Sequence, residues 1–193
     1  MLEGILVDLV PYGSVFEKMN HAWDANESSF WSSAGNRNFS THASLARRRE
    51  WRDSDEGARY REISVPFGIQ SKDGKPLGYM GINWMVPHLR LAMLGARIGE
   101  PDYWGGGYGT DALILLIDYA FSELDMRKVW LGTTDFNARV KRQMEKVGLQ
   151  LEACQRESTW ADGVWYDELL YGMLREEWSG REALVAKLGI QPR

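Results

Sequence analysis

The glycine-rich segment at residues 98–110 constrains the fold of this 193-residue chain more than any other stretch. It reads Ile-Gly-Glu-Pro-Asp-Tyr-Trp-Gly-Gly-Gly-Tyr-Gly-Thr, and Gly105, Gly106, Gly107 and Gly109 near its end lack a β-carbon. Backbone of this kind can curl with its N–H groups pointing inward. A helical pattern starts directly afterwards and brings the positive end of a helix dipole to the same place. The segment is therefore predicted to be a phosphate-binding loop at a helix N-terminus.

Length and composition predict one globular domain that covers residues 1–193. Hydrophobic residues make up 44% of the chain, enough for a substantial core at this size. No apolar run approaches the roughly 20 residues that a membrane-spanning helix needs. The N-terminal residues carry acids where a secretion signal carries basic residues, so the cytoplasm is the expected compartment. The single cysteine, Cys154, excludes an intrachain disulfide framework.

The charge balance argues against nucleic acid as a partner. The net charge is −4 at pH 7, whereas nucleic-acid binding depends on Lys and Arg neutralising phosphates. The basic run at residues 47–49 lies beside several acids and is typical of a solvated helix face. His21, His42 and His88 have no metal-ligand spacing, so no metal site is expected. Neither a nucleic acid nor a membrane is predicted as a partner.

Hydrophobic periodicity predicts a mixed α/β fold. The predicted strands cover about residues 4–10, 62–70, 76–85, 89–98, 128–134, 149–160 and 164–174. The predicted helices cover about residues 14–23, 42–56, 108–124, 137–147 and 175–188. Ser14 with Glu17 is typical of a capping box at the first helix. The stretch at 24–41, rich in Asn, Ser and aromatic residues, is expected to be a substrate-facing loop.

Two other phosphate-binding motifs are excluded by spacing. A dinucleotide-binding fingerprint loosely resembles Gly105-x-Gly107-x-x-Thr110, but it follows the first strand of its domain and needs an acid at the end of the second strand. Here Asp125 falls before the next predicted strand. A P-loop needs Gly-Lys followed by Ser or Thr, which the chain lacks. A glycine-rich turn without a ligand stays open, although it leaves unexplained why the glycines cluster where a strand meets a helix.

Several motifs along the chain combine into a family resemblance. The loop is part of Trp104-Gly105-Gly106-Gly107-Tyr108-Gly109-Thr110-Asp111-Ala112. This segment resembles the Trp-Gly-x-Gly-Tyr-Gly/Ala-Thr-Glu-Ala signature of the RimJ/RimL-type branch of the GNAT superfamily, the acyl-CoA-dependent N-acetyltransferases. The likeness covers roughly residues 60–178 and continues through Asp118-Tyr119-Ala120-Phe121, Asn137-x-Arg139, Glu145-Lys146-x-Gly148, Asp162-Gly163-x-x-Tyr166-x-Asp167 and Met173-Leu174-Arg175-Glu176-Glu177-Trp178.

This resemblance implies a GNAT fold, with a central mixed, mostly antiparallel sheet, one splayed parallel strand pair and flanking helices. It also implies that the loop amides bind the pyrophosphate of coenzyme A and that the strand before the loop binds the pantetheine arm. Asn137 would lie where the two strands splay. Arg139, Lys141 and Arg142 are candidates for the outer phosphate, although they equally fit a solvated helix face. The implied cofactor-binding residues are Ile98, Gly99, Trp104, Gly105, Gly106, Gly107, Tyr108, Gly109, Thr110, Asn137, Arg139 and Arg142.

Three positions depart from the family pattern in ways that concern proton transfer. Met144 stands where many relatives have a Tyr that protonates the leaving thiolate, and Val140 stands where RimL-type members often have a Ser. Met93 stands where a Glu often serves as general base. An alkylamine costs about 4.6 kcal/mol to deprotonate at pH 7, whereas an N-terminal α-amine costs about 1 kcal/mol. A site with weak base machinery therefore suits an α-amine better.

Three other residues are candidate catalytic groups. Glu100 lies beside the loop and could act as a base directly or through a water, its alternative role being a solvated turn carboxylate. Tyr166 and Asp167, on the last predicted strand, could orient the amine, with strand packing or pairing as the alternative.

The sequence thus predicts a GNAT-type acetyltransferase that uses acetyl-CoA as cosubstrate without a metal. It would transfer the acetyl group to a primary amine by direct attack, and the acceptor would be a protein N-terminus or a small-molecule amine. The alternative is an acyl-CoA-binding sensor or interaction module with degenerate catalysis. Nothing in the sequence marks an oligomer interface, and a homodimer is left open.

Overall fold

The computed structural model describes residues 1–28 and 42–193. The strands are β1 (Leu2–Glu3), β2 (Val7–Pro11), β3 (Val65–Ser71), β4 (Pro76–Val86), β5 (Leu91–Ile98), β6 (Lys128–Thr134), β7 (Gln150–Ala161) and β8 (Val164–Leu174). The α-helices are α1 (Ser14–Asp24), α2 (His42–Asp53), α3 (Asp55–Glu62), α4 (Tyr108–Ser122), α5 (Ala138–Val147) and α6 (Arg181–Leu188). None of the helices in these two described ranges is both long and apolar enough to cross a membrane.

These strands form one sheet in the order β1-β2-β3-β4-β5-β6-β8-β7. Every neighbouring pair is antiparallel except β5 with β6, which run parallel. The parallel pairing spans three residue pairs, from Leu91 with Lys128 to Met93 with Trp130, and then the two strands separate. The prediction of a mixed, mostly antiparallel sheet with one splayed parallel pair is confirmed.

Helices cover both faces of the sheet. α4 is apolar around most of its circumference, and its residues from Ala112 to Ile117 are all buried. The rings of Phe67 in β3 and Tyr119 in α4 have centroids 5.4 Å apart, so this face of β3 packs against α4. On the other face, the absence of a side chain at Gly68 leaves space for the Phe16 ring of α1. The sheet therefore lies between α4 and α1, and each buried Leu, Ile or Phe contributes about 1.5–3 kcal/mol.

The strand register assigns residues of β4 and β5 to these two faces. Residues directly opposite each other in neighbouring strands share a face. Gly68 pairs with Tyr79, and Tyr79 pairs with Arg97, so Arg97 lies on the α1 face. Its neighbour Ala96 pairs with Met80 and lies on the α4 face. The two faces of β5 thus look toward different helices.

The start of the first helix differs from the prediction. Ser14 is already the first residue of α1, and Gly13 is the N-cap. No side chain caps this end, so the capping box predicted for Ser14 and Glu17 is wrong. The predicted substrate-facing loop at 24–41 lies largely outside the described residues, which resume at His42.

Two other predicted helices are each divided. The helix predicted at 42–56 is interrupted at Ser54, whose hydroxyl accepts the N–H of Gly57 at 3.2 Å and caps a second helix. The helix predicted at 175–188 is a 3₁₀ turn, Arg175–Glu177, followed by α6. Between them, Gly180 is the N-cap of α6 with φ of 89°, a positive value that interrupts the helical backbone.

Candidate active site

A cavity of about 180 Å³ opens where β5 and β6 separate. Its walls come from β5 residues 94–98, β6 residues 131–133, the first two turns of α4 and of α5, and the side chains of Ser28, Met80 and Trp104. Because the parallel ladder ends at Met93, the backbone of the two strands beyond it is not joined by strand pairing. Buried backbone N–H and C=O groups need hydrogen-bond partners. The opening is therefore suited to an extended ligand that carries amide groups of its own.

The glycine loop forms the N-terminal end of α4 beside this cavity. Gly105 has φ of 79° and Gly107 has φ of 91°, values in the left-handed region that other residues adopt only with strain. Gly107 is the N-cap of α4, and no side chain accepts from the first N–H groups of the helix. These amides and the helix dipole together favour an anion. That the loop at this strand–helix junction binds a phosphate stays a prediction.

Trp104 and Arg139 both line the cavity, and the Arg139 guanidinium stacks on the Trp104 ring. The Trp104 indole N–H donates to the Ile98 carbonyl at 2.9 Å, which fixes the ring against the end of β5. The Arg139 guanidinium carbon lies 4.1 Å from the Trp104 ring centroid, within cation–π distance. Burial lowers the pKa of Arg139, while the nearby Glu27 opposes this shift. The stack connects the glycine loop to α5.

Asn137 caps the helix that forms the other wall. Its side-chain oxygen accepts the Val140 N–H at 3.3 Å and so begins α5. The residue is 5% exposed and lines the cavity, as do Val140 and Met144 in the next turns. Asn137 thus stands where the strands splay, and any contact with a ligand stays a prediction.

The predicted cofactor residues divide into two groups. Ile98, Trp104, Gly109, Asn137 and Arg139 line the cavity. The others do not line it. The carbonyl of Gly99, one of these, accepts a hydrogen bond from the Asn26 side-chain amide at 2.9 Å. This second group comprises Gly99, Gly105, Gly106, Gly107, Tyr108, Thr110 and Arg142.

The carboxylate of Glu100 is held by two neighbours on the α1 side of the sheet. It accepts the Trp23 indole N–H at 2.9 Å, and its second oxygen lies 3.2 Å from the Lys75 ammonium. This hydrogen bond with Glu100 raises the pKa of Lys75. Glu100 does not line the cavity, and neither does any other Asp or Glu of the described residues. A role for Glu100 as base stays a prediction that this geometry does not favour.

Tyr166 and Asp167 lie on β8, apart from Glu100. The Asp167 carboxylate accepts the Glu157 N–H at 2.9 Å and the Cys154 thiol at 3.3 Å, and these hydrogen bonds lower the pKa of Asp167. The Tyr166 ring packs edge-on against Phe136 with centroids 4.5 Å apart. Neither residue lines the cavity. The structure therefore does not bring the three catalytic candidates together.

Arg97 is a cavity residue that the sequence reading missed. It is 5% exposed, and its guanidinium donates to Asp24 at 2.8 Å, to the Ser28 hydroxyl at 3.0 Å and to the Trp23 carbonyl. A charge within an otherwise apolar strand such as 91–98 is itself a signal, because a buried Arg requires a partner. The identity of that partner, 73 positions away, has no local signal.

Comparisons with known proteins identify the family. Residues 14–150, more than half of the chain, match the family model described as an acetyltransferase (GNAT) domain. The uncharacterised N-acetyltransferase YoaA of Bacillus subtilis is 26% identical over 58% of this chain and 63% of its own length. The protein designated a ribosomal N-acetyltransferase, YdaF of Bacillus subtilis, is 28% identical over 64% of this chain and 73% of its own length. The chain thus spans about two thirds of these relatives.

Solved structures share the fold at low sequence identity. RimJ of Mycobacterium smegmatis, in complex with CoA-disulfide, superposes with a TM-score of 0.78 at 19% identity and covers 100% of this chain and 96% of its own. Spermidine N-acetyltransferase of Vibrio cholerae, in complex with CoA and spermine, gives 0.76 at 15% identity over 89% of this chain and 97% of its own. At these identities the two superpositions show that the fold is shared. The chain belongs to the GNAT acetyltransferase family.

Proposed function

We propose that this protein transfers the acetyl group of acetyl-CoA to a primary amine by direct attack, within one domain that spans residues 1–193. The observation that carries the proposal is the continuity of the opening beside β5 with the free N-terminal end of α4. Coenzyme A has the matching parts, since it carries a pyrophosphate followed by an arm with two amide groups. The residues therefore fit the cosubstrate at both ends.

The backbone supplies most of the proposed cosubstrate contacts. The N–H groups at 105–110 would hold the pyrophosphate, and the unpaired edge of β5 at 94–98 would pair with the amides of the arm. Arg139 lies close enough to the loop, through its stack on Trp104, to add a positive charge. Lys141 is less suited, because its ammonium donates to the Asp135 carbonyl at 3.2 Å. Arg142 is the remaining candidate for the outer phosphate.

The reaction itself requires one neutral amine and one proton acceptor. The amine nitrogen forms a bond to the thioester carbon, the carbon–sulfur bond breaks, and the thiolate leaves with the electron pair. The proton lost by the amine passes to solvent or to the thiolate. Holding the two reactants in line would supply much of the acceleration, because orientation can lower a barrier by several kcal/mol.

The acceptor class follows from the side chains of the cavity. No carboxylate of the described residues lines it, and Met144 is fully buried at the position where the family resemblance implies a proton-donating Tyr. An α-amine needs only about 1 kcal/mol for deprotonation at pH 7, against about 4.6 kcal/mol for an alkylamine. A protein N-terminus is therefore the favoured acceptor, with a small amine such as spermidine as the second.

A thiol-release assay tests the proposal. Acetyl-CoA is supplied with a panel of N-terminal peptides and with spermidine, and acetyl-CoA binding is measured in parallel by calorimetry. We expect binding together with turnover of at least one acceptor, the peptides ahead of spermidine. Tight binding without turnover of any acceptor would contradict the enzyme and leave the acyl-CoA sensor. Absence of binding would contradict both.

A further inference from the structure

The last two residues of α1 and the four that follow, residues 23–28, are here called the 23–28 turn. Buried contacts attach this turn to the end of β5. Arg97 makes the central ones, to the Asp24 carboxylate, the Ser28 hydroxyl and the Trp23 carbonyl. The Arg97 and Asp24 side chains are each 4% exposed. Separating two charges that are buried this deeply would leave each without a partner, which is strongly destabilising. The ion pair therefore holds the turn against β5.

Two further contacts join the same segments. The Asn26 side chain donates to the Gly99 carbonyl at 2.9 Å, and the Trp23 indole donates to Glu100 at 2.9 Å. The Trp23 ring occupies the space beside Gly99 that a side chain there would fill. The 23–28 turn is therefore fixed to Arg97 in β5 and to Gly99 and Glu100 directly after it.

The turn also forms part of the cavity. Ser28 and Arg97 both line it. On the far side, Glu27 is near enough to Arg139 for its charge to oppose the lowering of the Arg139 pKa by burial, so the turn approaches α5 as well as β5. The turn thus lies beside the cavity, between β5 and α5.

The face on which Arg97 lies distinguishes its role from that of the loop. The strand register places Arg97 on the α1 face of the sheet, whereas the glycine loop leads into α4 on the other face. Direct attack brings an amine to the thioester from a direction that the cosubstrate does not occupy. The α1 face, which the 23–28 turn covers, is the one opposite the proposed phosphate end.

We propose that Arg97 is a positioning residue that sets acceptor affinity by holding the 23–28 turn as the acceptor-side wall of the cavity. The inference rests on the proposed function, because it assigns the cosubstrate to the α4 side. Arg97 takes no part in bond making. It presents Ser28 to the cavity and fixes the point from which the chain continues toward residue 29.

Arg97→Lys is the direct test, since a lysine keeps the charge but lacks the planar group that reaches three partners at once. We expect the KM for the best peptide acceptor to rise about tenfold, the effect of losing one charge-assisted contact. The acetyl-CoA dissociation constant should stay within about twofold. Hydrogen exchange should speed up at the amides of the 23–28 turn. Arg175→Lys, at an exposed pair with Asp125, is the matched control and should change none of these.

Ser28→Ala is a second variant, which keeps the Arg97–Asp24 ion pair but removes the hydroxyl that lines the cavity and accepts from Arg97. It should raise the acceptor KM by about twofold to fourfold and leave the acetyl-CoA dissociation constant unchanged. Faster exchange with an unchanged acceptor KM in Arg97→Lys would overturn the proposal, as would an equal loss of acetyl-CoA affinity. A wild-type protein that turns over no acceptor would instead be a failure of the proposed function, which separates the two outcomes.

Discussion

The two sides of the cavity are built in different ways. On the α4 side, the proposed pyrophosphate site is made of consecutive residues, with Gly105 and Gly107 at positive φ directly before the helix. On the α1 side, the wall depends on side chains that meet from distant parts of the chain, Arg97 with Asp24 and Ser28. A site made of local backbone leaves a pattern in the sequence, whereas a site made of long-range contacts does not.

The largest effect is expected from a substitution in the glycine loop, on the α4 side of the cavity. Gly105→Val adds a β-branched side chain where φ is 79° and no atom lies within 4 Å of the added β-carbon. We expect acetyl-CoA binding to weaken by a factor of about one hundred or more, because the loop amides turn away from the phosphate. Calorimetric titration with acetyl-CoA measures it.

A matched control exists in the hairpin between β7 and β8. Gly163 has φ of 85° and equally open surroundings, so Gly163→Val imposes the same backbone strain at a distance from the cavity. Both variants should lose about 1–3 kcal/mol of stability, but only Gly105→Val should lose binding. Equal acetyl-CoA affinity in the two variants would contradict the cradle.

A smaller effect is expected at the stack that closes the mouth. Trp104→Leu removes both the hydrogen bond to Ile98 and the ring under Arg139. One hydrogen bond and one cation–π contact together correspond to about a tenfold loss of acetyl-CoA affinity. Trp160→Leu, at a half-exposed position on β7, is the control and should bind normally. A Trp104→Leu protein with wild-type affinity would remove the stack from the cosubstrate site.

Glu100→Gln tests whether Glu100, on the α1 side, is the general base or only supports that side of the cavity. The amide oxygen can still accept from Trp23, while the charge opposite Lys75 is lost. We expect turnover to fall by no more than about threefold, with the pH dependence of kcat unmoved, because Glu100 does not line the cavity. A pH profile that shifts in this variant would establish Glu100 as the base and contradict its purely supporting role.

The smallest effect concerns Asp167 and appears in stability rather than in turnover. Its pKa is lowered in the folded protein, so the unfolded state binds more protons around pH 3–4 and stability falls as pH falls through that range. Asp167→Asn should therefore lower the Tm at pH 7, and this effect should become smaller as the pH falls below about 4. A thermal melt series over this range measures it. A large fall in kcat with an unchanged Tm would instead favour a catalytic role.

The same contrast explains how much could be predicted from the sequence. The strand at Lys128–Thr134 was predicted at its observed bounds, because alternating apolar residues between a helix and a turn specify it locally. Asn137 as a helix start and Gly148 as a helix end also have local signals. Arg97 was missed because its meaning depends on Asp24, which only the fold brings near.

Two predicted helix boundaries were wrong for a different reason. Ser14 and Glu17 have the spacing of a capping box, but the chain enters α1 one residue earlier, at Gly13. Gly180 was read as part of a helix, although its left-handed backbone separates a 3₁₀ turn from α6. In both places the backbone conformation decided the boundary, and side-chain identity alone did not reveal it.

Hydrogen exchange with and without acetyl-CoA tests the central claim most directly, because that claim concerns backbone amides. The account predicts slower exchange on binding at residues 94–99 and 105–110 and at the start of α5. The tip of the β7–β8 hairpin should exchange at the same rate in both states. Protection confined to that hairpin, or no protection at the glycine loop when acetyl-CoA is bound, would contradict it.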